Sequence, residues 1–173
     1  MAITAADYIQ IMGPSVGART PFMHATRDTS IAFKRGDPAA VASGKATNAS
    51  ASHVVANTFA GFAANPETAS TGTTCQIVPA RPGLRFKAKI NTASSSSKLL
   101  QTHWLARAAL KRYTSSSANV WTVDPNLSSS SSTFKVALIT RLIDAASTVN
   151  GWVECEIASQ NPNGASTATW ALW

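Results

Sequence analysis

The sequence is poor in charged residues, and in acidic ones above all. Among 173 residues only 8 are Asp or Glu, against 15 Lys or Arg, and charged residues make up 13% of the chain while hydrophobic ones make up 45%. Disordered chains combine high net charge with few apolar residues, so this composition excludes a disordered polyelectrolyte. The formal net charge of +7 suits an acidic partner, whether nucleic acid, an anionic membrane or an acidic protein surface.

Cysteine and histidine are also scarce. Cys75 and Cys155 lie far apart in alternating apolar segments, which predicts two buried free thiols in place of a disulfide-rich secreted scaffold. His24, His53 and His103 share no ligand spacing with each other or with the cysteines, so neither a metal nor another cofactor is predicted. No apolar run approaches the about 18 residues of a membrane-spanning helix, and no signal-peptide pattern is expected.

Motifs for catalysis are missing as well. Serines are abundant, but no Gly-x-Ser-x-Gly elbow and no Gly-rich phosphate-binding loop occurs. Glu154 and Glu156 fall on one face of a predicted strand, where ion pairs with Lys or Arg across the sheet explain them without acid–base chemistry. The sequence therefore predicts a protein that is not an enzyme.

The clearest pattern in the chain runs from Ala80 to Asn91. It opens with Pro82 and Gly83, which favour a tight turn because proline presets φ and glycine accepts a positive φ. Apolar and basic side chains then alternate, which predicts a half-buried antiparallel strand. Its core face holds Leu84, Phe86, Ala88 and Ile90, and its basic, solvated face holds Arg85, Lys87 and Lys89.

Short strands separated by turns make up most of the remaining chain. This spacing predicts a mainly β fold: a single antiparallel β-barrel/sandwich domain with one short helical segment and extended N- and C-terminal arms. The domain is placed at residues 31–159, between an N-terminal arm (1–30) and a C-terminal tail (160–173), and Gly61 is predicted at a bulge or bend. Further strands are placed at residues 31–33, 39–42, 54–63, 74–78, 119–124, 134–141 and 152–157.

Two segments have a helix-like composition. Residues 98–113 carry leucines and a tryptophan at helical spacing with several alanines, which predicts a helix, although a hairpin is a competing interpretation. Residues 5–12 are predicted to form a short helix between an N-cap at Thr4 and a stop at Gly13.

Both arms carry more apolar side chains than a free tail tolerates. Residues 1–30 are interpreted as an arm that lies over the domain's own core or over a neighbouring subunit. Trp170 and Trp173 pack either on their own barrel or on a partner, since tryptophan is enriched at interfaces. Together with the basic strand face, the arms give these candidate partner or subunit contacts: Tyr8, Ile11, Met12, Phe22, Arg85, Lys87, Lys89, Trp170, Leu172 and Trp173.

Nucleic acid is disfavoured as the partner of the basic face. Proteins that bind single strands place aromatic rings beside the cations, so that bases stack on them. Phe86 is predicted to point away from Arg85 and Lys87. A solvated face or an acidic protein partner is therefore the favoured interpretation.

The chain contains a series of short motifs in a particular order: Phe33–Asp37 (FKRGD), Gly44–Lys45, Ala60–Ala63 (AGFA), Arg81–Phe86 (RPGLRF), Val123–Asp124, Phe134–Val136 (FKV) and Gly151–Glu154 (GWVE). In this order the chain resembles the small β-barrel capsid decoration (cement) proteins of tailed bacteriophages. The resemblance covers about residues 31 to 158.

The resemblance implies a non-enzymatic protein on the capsid exterior of the virion, assembled in the host cytoplasm. It would bind the major capsid protein, self-associate as a trimer or else a dimer, and brace capsomer junctions against the pressure of packaged DNA. Deleting residues 1–30 or 160–173 is expected to abolish capsid binding and to leave the barrel folded. A receptor- or glycan-binding module of a virion and a nucleic-acid-binding β-barrel stay open as alternatives.

Overall fold

The structure is a computed structural model that describes residues 2–14, 22–48, 59–68, 73–92, 97–116, 119–127 and 136–158. Strands dominate these residues, so the predicted mainly β barrel/sandwich class is confirmed. A 3₁₀ turn, Gln101–His103, is the helical segment of the described chain. The strands are β1 (Gln10–Pro14), β2 (Met23–Thr26), β3 (Pro38–Ala42), β4 (Lys45–Asn48), β5 (Phe59–Ala63), β6 (Thr74–Pro79), β7 (Leu84–Lys89), β8 (Arg107–Thr114), β9 (Asn119–Asp124), β10 (Ala137–Leu142) and β11 (Trp152–Ile157).

Six antiparallel strands form a curled sheet in the order β1-β7-β11-β10-β8-β9. The curl brings β9 back towards β7, where Ile90 bridges Val123 and the Asn91 amide donates to the Val123 carbonyl oxygen at 2.9 Å. Register shifts in β1 and β10 mark bulges, which increase twist and bend a strand. The sheet therefore curls around a core as a half-barrel.

The second sheet has five strands in the order β2-β6-β5-β3-β4. The predicted bulge is confirmed: Ala39 pairs with Gly61 and Ala40 with Phe59, so Ala60 is the extra residue. Glycine is required beside it, because a Cβ at Gly61 would lie 2.0 Å from the Val78 carbonyl oxygen.

The main core fills the curled sheet and one face of the second sheet. Phe62 stands between Phe59 and Phe86, with ring centroids 5.3 and 5.1 Å apart. These spacings favour edge-on and tilted aromatic contacts. The predicted core face of β7 is confirmed, since all four of its apolar side chains are buried: Leu84, Phe86, Ala88 and Ile90.

The helix predicted over residues 98–113 is wrong. Arg107–Thr114 form β8 instead, which pairs with β9 in an antiparallel hairpin. The competing interpretation expected a hairpin with residues 101–104 in the sheet, but Gln101–His103 form the 3₁₀ turn. Alanine and leucine are good helix formers, but Ala108 and Leu110 lie two residues apart and both enter the main core. Burial against the other strands overrode the helical propensity of this segment.

The N-terminal segment also differs from expectation. The helix predicted over residues 5–12 is wrong, because β1 begins at Gln10 and pairs with β7, while β2 joins the second sheet. Ile9 is buried in the main core. Removing residues 1–30 would take a strand from each sheet, so the barrel is not expected to stay folded without them. The strand expected at residues 31–33 is reduced to a single bridge between Phe33 and Glu67.

Candidate interaction surface

Two hydrogen-bonded loops meet at one end of the curled sheet. The loop before β8 and the loop between β10 and β11 are joined where the Leu99 amide donates to the Thr148 carbonyl oxygen and the Ser147 amide to that of Leu99, at 2.9 and 2.7 Å. Large apolar side chains on these loops are 36% to 57% exposed. We call this set the Trp104 patch: Leu100, Trp104, Leu105, Ile143 and Val149.

A groove of about 370 Å³ lies beside Trp104. The indole Nε1–H donates to the Thr140 carbonyl oxygen at 3.1 Å, which fixes the ring against β10 while 53% of the residue stays exposed. A large aromatic ring that is held in place loses little side-chain entropy when a partner covers it. The groove is lined by Gln101, Trp104, Arg141, Leu142, Asp144, Ala145 and Ala146.

The turn that presents Trp104 is held from below by His103. This imidazole is buried, and its Nδ1 accepts a hydrogen bond from the Leu100 amide at 3.1 Å. Burial lowers the pKa of His103, although the Asp124 carboxylate acts in the opposite direction. The next turn places Leu105 at φ 60°, a left-handed conformation that is rare for leucine, and its amide donates to Ile139.

Sequence reasoning missed the Trp104 patch because it assigned Trp104 and Leu105 to the apolar stripe of a helix. No periodicity in the sequence would have revealed it: residues 107–114 read RAALKRYT, with three consecutive apolar residues followed by two adjacent basic ones, yet they form β8. Trp104 then falls in the loop before a strand, where nothing on its own element covers it.

The basic face of β7 is partly neutralised. Arg85 and Arg141 both contact the buried Glu154 carboxylate, at 3.3 and 3.1 Å. Lys87 is half-buried and lies opposite Glu154 in the register of β7 and β11. The predicted cross-sheet ion pair of Glu154 is therefore observed, and it leaves less free positive charge than the sequence suggested.

Lys89 does not lie on a solvated surface, and this part of the prediction is wrong. Its side chain is 1% exposed, its Nζ lies 3.5 Å from an Asp7 carboxylate oxygen, and it stands 5.4 Å from the Trp152 ring centroid. The alternation did place it on the outer face, but the N-terminal segment covers that end of β7. Lys89 anchors this segment and is not available to a partner.

The other candidate contacts are not brought together. Tyr8 is half-buried, and Ile11 packs against the main core from β1. Met12 is 39% exposed on the curled sheet, and Phe22 is 59% exposed beside β2 of the second sheet. The three remaining candidates lie outside the described residues: Trp170, Leu172 and Trp173.

A second, more polar groove of about 280 Å³ lies between the loop before β3 and the β8–β9 hairpin. Burial raises the pKa of the Asp37 carboxyl in this groove, and its Oδ2 accepts the Lys34 amide at 2.8 Å. Arg112 Nε donates to Asn119 Oδ1 at 2.7 Å. The groove is lined by Ser30, Ile31, Ala32, Lys34, Asp37, Asn48, Arg112, Asn119 and Trp121.

Cys75 and Cys155 are buried free thiols, as predicted, and burial raises the pKa of both. Across the described ranges, no three His, Cys, Asp or Glu side chains are grouped as a metal site would need. The same residues contain no helix of the length and apolarity that crossing a membrane requires. Protein-family models, characterised proteins and solved structures contain no match to this chain.

Proposed function

We propose that this protein is a non-enzymatic capsid decoration (cement) protein, which binds the outer surface of a tailed-phage capsid and stabilises it. The motifs described above supply the family hypothesis. The observation that carries the role is the Trp104 patch, a set of exposed apolar side chains on two joined loops that includes a fixed aromatic ring. Such rings dominate the energy of protein interfaces.

Two of the motifs that carry the resemblance form tight turns in this chain. Gly36 takes φ +80° in a tight loop, and the Asp37 amide and carboxylate both bond to Lys34 to close it. In the Arg81–Phe86 motif, the Leu84 amide donates to the Arg81 carbonyl oxygen and Gly83 takes φ 87°. These contacts support a shared barrel, so the binding role depends on the exposed surfaces instead.

An exposed apolar patch indicates an interaction surface in a β protein of this size. Burying each large apolar side chain contributes about 1.5–3 kcal/mol, so a few residues of the patch suffice for a specific contact. Proteins keep such surfaces where a partner covers them. The net charge of +7 would favour encounter with an acidic capsid exterior.

Quantitative mass spectrometry of virions from the phage that encodes this chain tests the proposal. We expect hundreds of copies per particle, and chain-deficient capsids that release DNA at lower temperature until purified protein is added back. Trp104→Ala should abolish rebinding. Phe22→Ala, which truncates an exposed aromatic residue near the second sheet, is the matched control. Absence of the chain from virions would refute the role.

The polar groove favours one other function, a glycan-binding module of a virion. Carboxylate, amide and guanidinium groups converge there from Asp37, Asn48 and Arg112, and polar groups placed in a concave site provide ligand specificity. A glycan array tests this function. A hit that Asn48→Ala removes would support it, and a blank array would eliminate it.

A further inference from the structure

We propose that the Trp104 patch binds the C-terminal segment of a second copy of this chain, so that copies link tail to patch. The occupant is the sequence Trp170–Trp173 (WALW) within residues 159–173. This inference concerns contacts among copies of the chain, so its test needs no capsid; in a decoration layer the patch would then join neighbouring copies, and Trp104→Ala would weaken capsid binding by separating them.

The chemistry of the segment fits that of the patch. Residues 159–173 contain no charged side chain, and three of the last four are Trp170, Leu172 and Trp173. The five side chains of the patch are likewise apolar, and Arg141 and Asp144 line the groove beside Trp104. A segment with uncharged side chains avoids the cost of burying an unpaired charged side chain against apolar residues.

The direction of the chain favours a second copy over the same copy. β11 begins at Trp152, next to the patch, and runs away from it to Ile157. Ala158 lies at the far end, where its amide donates to Val136 at 2.9 Å. Six strand residues place that exit about 20 Å from the patch, so a tail that reached the patch of its own copy would have to reverse direction along the whole strand.

The segment is long enough to reach a neighbour. From Ala158 to Trp170 an extended chain spans up to about 40 Å, which is about twice the length of β11. A contact between two different surfaces is heterologous, and it forms a closed ring or a reciprocal pair if the geometry closes. Tail-to-patch contacts therefore provide a route to the small oligomers that decoration proteins form.

Sedimentation velocity of the full-length protein over a range of concentrations tests the proposal. We expect the wild type to be oligomeric. Trp104→Ala should be monomeric, and so should the double variant Trp170→Ser, Trp173→Ser. Leu105→Asn is a second patch variant that should keep the fold, since asparagine tolerates the positive φ of 60° at this position. Phe22→Ala is the matched control and should keep the wild-type mass.

Mixing the variants gives the decisive result. Trp104→Ala retains the tail and the double variant retains the patch, so together they can form one tail-to-patch contact. We expect a one-to-one heterodimer that does not extend further. A monomeric wild type, an oligomer that survives either variant, or a mixture that stays monomeric would each overturn the proposal. A monomer whose own tail shields Trp104 from a fluorescence quencher would overturn it too.

Discussion

Replacing Gly36 with alanine tests how the loop before β3 is held against the N-terminal segment. Gly36 takes φ +80°, and a Cβ added there would lie 2.2 Å from the carbonyl oxygen of Ile9. Ile9 is itself buried in the main core just before β1. The carbonyl is backbone, so relief requires the loop or the start of β1 to move.

Gly44 provides a matched control with a similar backbone and no obstruction. Its φ is +74°, and a Cβ there would meet nothing within 4 Å. The left-handed conformation costs an alanine about 1–2 kcal/mol at either position. Overpacking adds about 1–3 kcal/mol at Gly36 alone. We therefore expect a loss of about 1–2 kcal/mol for Gly44→Ala and of about 2–5 kcal/mol for Gly36→Ala.

Urea denaturation followed by tryptophan fluorescence measures both losses as shifts of the midpoint at constant slope. Asp37 follows Gly36 and lines the polar groove, so Gly36→Ala should also change any ligand binding there. Equal losses for the two variants would refute the reasoning, because they would show that the loop and Ile9 do not press on each other. A larger loss for Gly44→Ala would refute it more strongly.

Three further outcomes are expected. Burial lowers the pKa of His103 below 6.5, so the folded protein binds fewer protons than the unfolded chain. The contribution of His103 to stability should therefore be constant above about pH 6.5 and fall below it. His103→Asn should remove that dependence in denaturation curves measured at several pH values. Glu154→Gln should lower the free energy of unfolding by about 1.5–3 kcal/mol, because a buried partner of two guanidinium groups loses its charge. Arg141→Ala should lower it by less than about 1 kcal/mol, because the Arg141 side chain is 62% exposed. Urea denaturation measures both losses. Neither Cys75 nor Cys155 should react with a thiol reagent until the protein unfolds, since burial raises the pKa of both thiols and blocks access; rapid labelling of the native protein would contradict this.

Local patterns in the sequence predicted much of the fold. The strand from Leu84 to Lys89, the strand from Trp152 to Ile157 and the bulge at Gly61 all follow from alternation, turn residues or glycine placement. These features depend on neighbours within a few residues, so a single sequence carries them. The helix predicted over residues 98–113 failed because its composition suits a helix while its burial suits a strand.

The candidate interaction surface was much less predictable. Arg85 and Lys89 have the same place in the alternating pattern, yet Arg85 reaches Glu154 at a partly exposed site and Lys89 is buried under Asp7. Trp104 has a large side chain of a type that is highly buried on average, but it is half exposed. In each case the outcome depends on a segment distant in sequence that either covers the side chain or does not.

The sequence by itself determined that the chain forms strands, where most of them run and which face of β7 enters the core, because alternation and turns act over a few residues. Only the tertiary structure decided which outward-facing side chains meet solvent. That choice depends on the return of β9 towards β7, on the N-terminal segment laid over Lys89, and on the loop that lifts Trp104 beside β10. Exposure is a property of the packed chain, and the surfaces proposed here for binding exist only at that level.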